Sequence, residues 1–327
     1  MANCNVAIGR LSAIGIGKET TPGVAVEPTA WIPVESGEVT PIIKTVEDTS
    51  GYGIIDKIAD VMAVENTSET AVSGIIRSES IGHILMATLG IASAPKEVET
   101  GVYEHKFSRK NDNCPITHTI TEDTPAGAKQ APYSVIDSLD IEGKVGDYVR
   151  FTVKYIGGQI ITVTDKNPTY LQENVFVAAG MSVKMANTVA DIATAPKIRA
   201  QSFKFTITKG AESIMALGST NVDAIHNTVL EIKGDMELVY DSDTMMQRVI
   251  DGSKQAISVL METGEKIGAT KKASLEVTFP RVALSEWKKS GDMDKIVTQT
   301  VGFTGTYDVA TAASVVMTLL NKTKKQY

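Results

Sequence analysis

Residues 72–90 read VSGIIRSESIGHILMATLG, and residues 232–252 read IKGDMELVYDSDTMMQRVIDG. Each stretch predicts a strand through a glycine, Gly74 or Gly234, followed by a Ser-rich or acidic cap, one amphipathic helix and a terminal glycine. Few positions are identical, so the similarity lies in the pattern. Similarity at a fixed offset is typical of repeated units. The pattern therefore predicts two similar domains in tandem.

The flanking segments extend this repeat on both sides. Upstream, each half has a strand that leads into an aperiodic loop, at residues 38–48 and 200–210. Downstream, each half closes with a pair of strands, which are 134–141 with 148–155 and 275–279 with 296–307. We expect the chain to be divided into an N-terminal arm (1–30), a first β domain (31–165), a linker (166–185) and a second, similar β domain (186–327).

Strand patterns dominate the rest of the chain. In residues 203–207, two Phe residues and one Ile alternate with Lys204 and Thr206, which is typical of a half-buried strand. Turn residues such as Gly157-Gly158 separate the strands. Strands are also predicted at 31–34, 68–76, 117–121, 148–155, 160–163, 202–208 and 229–238.

Helical patterns are few and short. They occur at residues 80–89 and 243–250, with a further turn or two expected at 283–289. Many strands with few helices predict a mainly β fold. The expected architecture is two β-sandwich or barrel domains, each with one short flanking α-helix, together with long assembly loops.

Composition and charge limit the possible functions. Of 327 residues, 43% are hydrophobic and 22% are charged, so a folded core is expected. The net charge of −7 argues against a general nucleic-acid binder, which needs clustered Lys and Arg. Residues 1–165 carry 13 basic and 22 acidic side chains, whereas residues 166–327 carry 19 and 17. The acidic excess therefore belongs to the first half.

The sequence also indicates where the protein is made. No apolar run is long enough to span a bilayer, and residues 1–9 do not read as a secretion signal. Synthesis in a cytoplasm favours free thiols at Cys4 and Cys114. The four histidines are too scattered for a dedicated zinc site.

No catalytic signature stands out. Residues 15–18 (GIGK) resemble a phosphate loop, but the first glycine is missing and Glu19 replaces the Ser or Thr, so a flexible arm is favoured. Acidic pairs at Glu97/Glu99 and Asp292/Asp294, together with His105 and His118, are better explained as surface or strand residues. We therefore predict no catalytic, cofactor-binding or metal-binding residues, and no enzyme activity.

Two long segments lack periodicity, namely residues 1–30 and 46–65. Long aperiodic segments in a compact protein are usually functional or disordered. Both mix apolar residues with turn formers, so we expect them to order on assembly.

A set of short motifs lies within residues 15–160. They are GKETTPGVA (17–25), WIPV (31–34), YEHKF (103–107), CPITHTI (114–120), SLDI (138–141), GDYV (146–149) and GG (157–158). The set resembles the major tail proteins, or tail tube proteins, of long-tailed, siphophage-like bacteriophages. Thr117 and His118 depart from the family's usual small and aromatic pair. The second half is matched only through the internal repeat.

The resemblance implies a structural virion protein of the phage tail, made in the bacterial host cytoplasm. Family members have a β-sandwich or small barrel with a flanking helix, and they form rings that stack into the tube used for DNA ejection. Rings are usually hexameric, whereas members with a duplicated domain form trimers with pseudo-sixfold symmetry, so duplication favours a trimer. The implied partners are other copies of the chain, the tape-measure protein, and the tail terminator or distal tail protein. DNA would pass without specific binding, and no cofactor or membrane is implied.

General physics agrees with a ring. Exposed sheet edges are a liability in a monomer, and a ring can pair them. An acidic lumen would repel DNA phosphates. The alternative is a virion-surface receptor-binding, decoration or adhesin-like β-sandwich module. That alternative predicts grouped exposed aromatic residues, and Trp31 and Trp287 are too isolated to indicate one.

Overall fold

The computed structural model describes residues 8–291 and 293–327. Over these residues the chain forms 21 strands, two α-helices and three short 3-10 helices (Gly9–Leu11, Ala178–Gly180 and Val189–Asp191). The predicted mainly β fold is confirmed. The long apolar segments fold as antiparallel sheets that enclose a common core.

The strands of the first half are β1 (Ala13–Lys18), β2 (Ala30–Ile32), β3 (Ser36–Asp48), β4 (Asp60–Ile75), β5 (Gly90–Ala92), β6 (Lys96–Glu99), β7 (Val102–Arg109), β8 (His118–Thr124), β9 (Gly127–Lys144), β10 (Arg150–Gly157) and β11 (Ile161–Val163). Those of the second half are β12 (Met181–Ala186), β13 (Lys197–Ile198), β14 (Ala200–Thr208), β15 (Ala211–Met215), β16 (Val222–Asn227), β17 (Glu231–Val239), β18 (Lys254–Lys266), β19 (Lys272–Ser290), β20 (Thr298–Gly305) and β21 (Val316–Asn321). The helices are α1 (Ile81–Leu89) and α2 (Thr244–Ile250).

One antiparallel sheet of eight strands runs through both halves. Its order is β3–β4–β10–β9–β14–β17–β20–β19. We call it the eight-stranded sheet. Strands β9 and β14 join the two halves at its centre, so the molecule has a continuous backbone ladder across its midline.

A second layer covers one face of the eight-stranded sheet. In the first half it has the order β2–β1–β8–β9–β11. In the second half it has the order β13–β12–β18–β19–β21–β7, and β5 and β6 pair with β7. The long strands β9 and β19 belong to both layers. Each half is therefore a β-sandwich.

Alternating apolar residues fill the space between the layers. Phe203 and Phe303 stack with ring centroids 5.4 Å apart, and Phe205 meets Phe279 edge-to-face at 5.2 Å. All four rings are at most 2% exposed. Burying aromatic rings in offset or edge-to-face contact is among the largest packing contributions that a core contains.

The pairing pattern of the first half recurs in the second. Strands β1 and β12 each pair with a short strand and with the first strand of a hairpin, which is β8–β9 or β18–β19. Strands β11 and β21 each return to pair with the beginning of that hairpin's second strand. The first half differs by inserting β5–β7 between its helix and β8.

The two repeat glycines occupy matching places. Gly74 lies opposite Phe151 in the β4–β10 pair, and Gly234 lies opposite Phe303 in the β17–β20 pair. A Cβ added at Gly74 would lie 3.3 Å from the Phe151 ring, and one added at Gly234 would strike the Phe303 ring. The glycine in each half therefore makes room for the aromatic ring on the next strand.

The helices agree with the sequence in part. Helix α1 lies within the predicted 80–89 segment and ends at Gly90 with a φ of 89°, a left-handed value that suits glycine. Helix α2 follows Asp243 as expected, and its last residue, Ile250, is exposed. The helix expected at 283–289 is wrong, because these residues continue β19 and pair with β20. Short apolar runs fit both periods, and here the sheet partner decides.

Several strands of the structure were not indicated by any sequence pattern. Strands β12, β15, β16, β18 and β21 were not predicted, although β18 and β21 lie in the core. The predicted pairing of residues 275–279 with β20 is wrong, because these residues pair with β18 and β21. Much of the segment at 46–65, predicted to be aperiodic, lies in the β3–β4 hairpin.

Candidate assembly interface

The internal joint between β9 and β14 is a built strand-to-strand interface. Seven residue pairs run from Ser138 opposite Thr208 to Lys144 opposite Ser202. The ladder continues beyond the strand ends, because the Lys209 N–H donates to the carbonyl of Asp137 at 2.6 Å. The carboxylate of Asp137 also accepts the Ala211 N–H at 3.1 Å. The joint is therefore fixed by both backbone and side chain.

The face of the eight-stranded sheet that points away from the core is polar; we call it the open face. Across the joint, four residues lie opposite one another in a row, in the order Asp235, Lys204, Glu142 and Arg150. Opposite charges on neighbouring strands stabilise a register. Burial raises the pKa of Asp235 above its usual value, and the neighbouring Lys204 only partly opposes this shift. The remaining open-face positions combine further charged residues, such as Asp140, Lys154 and Lys233, with many hydroxyl groups, namely those of Ser36, Ser73, Thr152, Thr206, Thr208, Thr298, Thr300 and Thr304.

The last strand of the eight-stranded sheet has an open outer edge over part of its length. Strand β18 covers that edge of β19 up to Ala283, which lies opposite Lys254. Beyond this point, in the described part of the chain, residues 284–290 pair only with β20 on their other side. The corresponding residues of β9 carry the internal joint.

The first strand of the sheet has its outer edge capped by an ion pair. The carboxylate of Glu122 accepts the N–H of Val39 at 2.8 Å, and the ammonium group of Lys129 donates to the carbonyl of Val39 at 2.7 Å. The two side chains lie 3.1 Å apart, and Glu122 is 8% exposed. Together they satisfy the donor and acceptor that a further strand would use. No sequence pattern indicated this pair, since its members lie on β8 and β9 and bind the backbone of β3.

A groove runs beside the start of β3. It has a volume of about 810 Å³ and is lined by residues 33–37 together with Arg10, Tyr170 and Leu171. Leu171 is 69% exposed, so the groove offers apolar as well as polar surface. The capped residue Val39 lies just beyond this stretch, so the open part of this edge coincides with the groove.

The motif at residues 17–25 folds around a buried carboxylate. Glu19 accepts hydrogen bonds from the Gly23 N–H at 2.9 Å, the Thr119 hydroxyl at 2.8 Å and the Tyr133 N–H at 2.8 Å. Tyr133 has a φ of 57°, which is uncommon for a residue other than glycine. Glu19 therefore holds the loop after β1 against the β8–β9 hairpin.

The segment expected to be an arm contains a core strand. Strand β1 pairs with β8 along its whole length, and Ile14 and Ile16 are buried. The phosphate-loop alternative for residues 15–18 does not hold, because they are extended in this strand. A Cβ at Gly17 would lie 2.5 Å from the Glu27 carbonyl, so the glycine permits close packing of the backbone.

The β3–β4 hairpin projects as a two-stranded ribbon. Its register runs from Ser36 opposite Ser73 to Asp48 opposite Asp60. Residues 41–62 are exposed throughout, and they include Ile54 at 65% and Ile55 at 100%. An apolar group at the tip of a projecting element marks a contact surface.

The equivalent hairpin of the second half lies against the first half. Strands β15 and β16 form it, and Ala211 and Ile225 pack on Val135 of β9. The N–H of Asn66 on β4 donates to the carbonyl of Thr220 at 2.8 Å. This hairpin is therefore supported within the chain, whereas the β3–β4 tip is not covered by described residues.

The histidines have structural surroundings. His83 and His105 contact the buried ring of Tyr327 edge-on, with centroids 5.0 and 4.9 Å away. Burial lowers the pKa of His83 to about 4 and that of His118 to about 3. The buried Nδ1 of His118 has no hydrogen-bond partner among the described residues, so no carboxylate there orients the imidazole as a catalytic base. These histidines are neutral near pH 7.

The other residues considered as sites lie apart. Glu99 accepts the N–H groups of Thr270 and Lys271 at 2.9 and 3.0 Å and so fixes a turn. Asp292 lies outside the described residues, as does Cys4, and Cys114 is an exposed free thiol. Among the described residues, no group of three or more His, Cys, Asp or Glu could hold a metal ion. Neither described α-helix has the length and apolar character that a membrane crossing requires.

The molecule thus has a polar sheet face, open strand edges and a projecting hairpin. These features are typical of a β protein that self-assembles. The model of the phage tail tube protein family matches residues 9–305, and the chain belongs to that family. It is a structural protein of the virion tail, and its copies assemble into the tail tube. Membership in this structural family suggests a non-enzymatic protein. No curated protein matches the sequence.

Proposed function

We propose that three copies of the chain close one ring of the tail tube, so that each ring contains six tube-like units. The units are the two domains expected at 31–165 and 186–327, each preceded by its own first strand, β1 or β12. Rings stack to form the tube. The observation that carries this proposal is the recurrence of one pairing pattern in both halves, joined by β9 and β14.

The joint supports the threefold ring because it already connects two units in the way that a ring requires. Ring closure needs a heterologous contact that repeats after each unit. The β9–β14 joint is such a contact made within one chain. Three further contacts of the same kind, one between each pair of neighbouring copies, would close the ring.

We further propose that the open face lines the lumen. It carries charges of both signs together with many hydroxyl groups, as in the row from Asp235 to Arg150. Such a surface offers no cluster of cations for phosphate binding, so DNA would pass without specific contacts. The acidic excess of the first half is not needed for this role, because carboxylates and cations alternate along the row from Asp235 to Arg150.

We also propose the partners that are expected for members of this family. They are the tape-measure protein inside the tube and the tail terminator or distal tail protein at its ends, in a tail of the siphophage type. We infer no catalytic activity, since the buried carboxylates of Glu19 and Glu122 and the imidazole of His105 have structural hydrogen-bond partners. The family match favours the tube role over a receptor-binding or adhesin-like module.

Electron microscopy of the purified protein at high concentration tests the proposal. Rings or tubes whose end views show three identical subunits support it. Tubes with six chains per ring would overturn the threefold arrangement and leave the tail tube role intact.

A further inference from the structure

We propose that residues 284–287 of β19 in one copy pair, antiparallel, with residues 33–35 of the next copy, in the groove beside β3. The inference rests on the proposed ring and names the contact that closes it. The internal β9–β14 joint supplies the template. The occupant of the groove is therefore a second copy of this chain.

Residues of β19 correspond to residues of β9 through their partners on the neighbouring strand. Ile141 of β9 lies opposite Phe151, and Leu284 of β19 lies opposite Phe303. The following positions also match, because Glu142 lies opposite Arg150 and Glu286 lies opposite Gly302. Ser285 is the extra residue of a bulge.

Residues at the start of β3 correspond to residues of β14 through the repeat glycines. Phe205 of β14 lies opposite the repeat glycine Gly234. In the first half, Ser36 lies opposite Ser73, which places Glu35 beside Gly74. The paired strand begins at Ser36, but the N–H of Glu35 still donates to the carbonyl of Ser73 at 2.8 Å, and Pro33 and Val34 lie against Gly74.

Joining the two correspondences fixes a register. The joint places Ile141 opposite Phe205 and Glu142 opposite Lys204. The same contact between copies places Leu284 opposite Glu35, and Glu286 opposite Val34. This stretch of the neighbour is the part that lines the groove.

The lengths of the two open edges support this register. Strand β18 covers β19 as far as Ala283, so the edge opens at the next residue, Leu284. On the receiving side, Glu122 and Lys129 occupy the backbone groups of Val39, so pairing must end before that residue. Both edges are therefore open over the pairs from Leu284 and Glu35 onward, and β18 prevents the pairing from extending further along β19.

Disulfide cross-linking between copies tests the register. In a protein with Cys4 and Cys114 replaced by serine, one preparation carries Glu286→Cys and a second carries Val34→Cys. The two are mixed, assembled and oxidised. Facing residues in an antiparallel pair have Cα atoms about 4.5–5.5 Å apart, which a disulfide can span. We expect disulfide-linked dimers only in the mixture.

A matched control compares the cross-linking yield in the proposed register with the yield at a position outside it. Glu38→Cys lies four residues from Val34 along the chain, up to about 13 Å away, and should give at least tenfold less dimer with Glu286→Cys. A second pair, Leu284→Cys with Glu35→Cys, should cross-link and covers the case in which the first pair fails to assemble. Threefold rings without either cross-link, or with equal yield from the control, would overturn the proposed pairing between copies. The threefold ring itself would remain supported. Absence of rings in the cysteine-free protein would overturn both.

Discussion

At the level of single residues, two buried carboxylates hold the backbone of the first half in place. Glu19 secures the loop after β1, and Glu122 caps the edge of β3. The sequence points to the first through a short motif, but it does not show which atoms the carboxylate reaches. It does not point to the second, because its partner Lys129 becomes a neighbour only when β8 and β9 form a hairpin.

Replacing Glu19 by glutamine should destabilise the fold. The carboxylate accepts three hydrogen bonds, and an amide would turn one acceptor into a donor that faces another donor. Hydrogen bonds to a charged group contribute about 1.5–3 kcal/mol, so the free energy of unfolding should fall by about that amount. Denaturant melts of the Glu19→Gln variant measure the change.

Glu27→Gln is the control for this variant. Glu27 is a mostly exposed partner of Lys166, and such surface pairs contribute about 0–1 kcal/mol. Equal losses for the two variants would show that Glu19 does not hold the loop.

Acid should destabilise the fold through the buried histidines. Burial lowers the pKa of His83 to about 4 and that of His118 to about 3, whereas an unfolded histidine has a pKa near 6.5. The unfolded state therefore binds more protons below pH 6.5, so stability is full above that pH and falls as the pH drops towards 4. Between pH 7.5 and 5.5 the loss should be about 1.4 kcal/mol for each histidine.

Urea melts of the wild type and the His118→Asn variant at these two pH values check this account. The variant should lose less stability than the wild type over the same interval. An unchanged pH dependence would mean that His118 does not titrate in the unfolded state as expected.

At the level of secondary-structure elements, the β3–β4 hairpin is the part best placed to contact another ring. Its outer half extends from residue 41 to residue 48 before the turn, about 25 Å of extended chain. Its tip exposes Ile54 and Ile55. We expect this tip to pack on a copy in the adjacent ring.

Replacing Ile54 and Ile55 together by serine should shorten or abolish tubes while leaving single rings. Both side chains are exposed, so the monomer's stability should change by less than about 0.5 kcal/mol. Length distributions from electron micrographs measure the effect. Lys57→Ser changes the same tip without removing apolar surface, and its tubes should match the wild type. Normal tubes from the double serine variant would exclude the tip from stacking.

Some secondary-structure elements could be predicted from the sequence and others could not. Alternation identified strands such as β14 and β17, and a cap with a terminal glycine identified α1. The helix predicted at 283–289 was wrong, because spacing alone cannot separate the two periods over a short run. The partners of β19 decide its structure, and they come from distant parts of the chain.

At the scale of the whole molecule, the repeat glycines link the sequence to the assembly. Gly74 and Gly234 predicted a repeat, and each makes room for a Phe on the neighbouring strand. The open edges and the groove could not be predicted, because they are set by where β18 ends and where Glu122 caps β3.

The number of chains in one ring tests the proposed threefold ring most directly. A cryo-electron microscopy reconstruction of assembled tubes, computed without imposed rotational symmetry, gives that number. We predict three chains of 34.9 kDa in each ring, with six similar β-sandwiches around the lumen. Six chains in each ring, with twelve sandwiches, would contradict it.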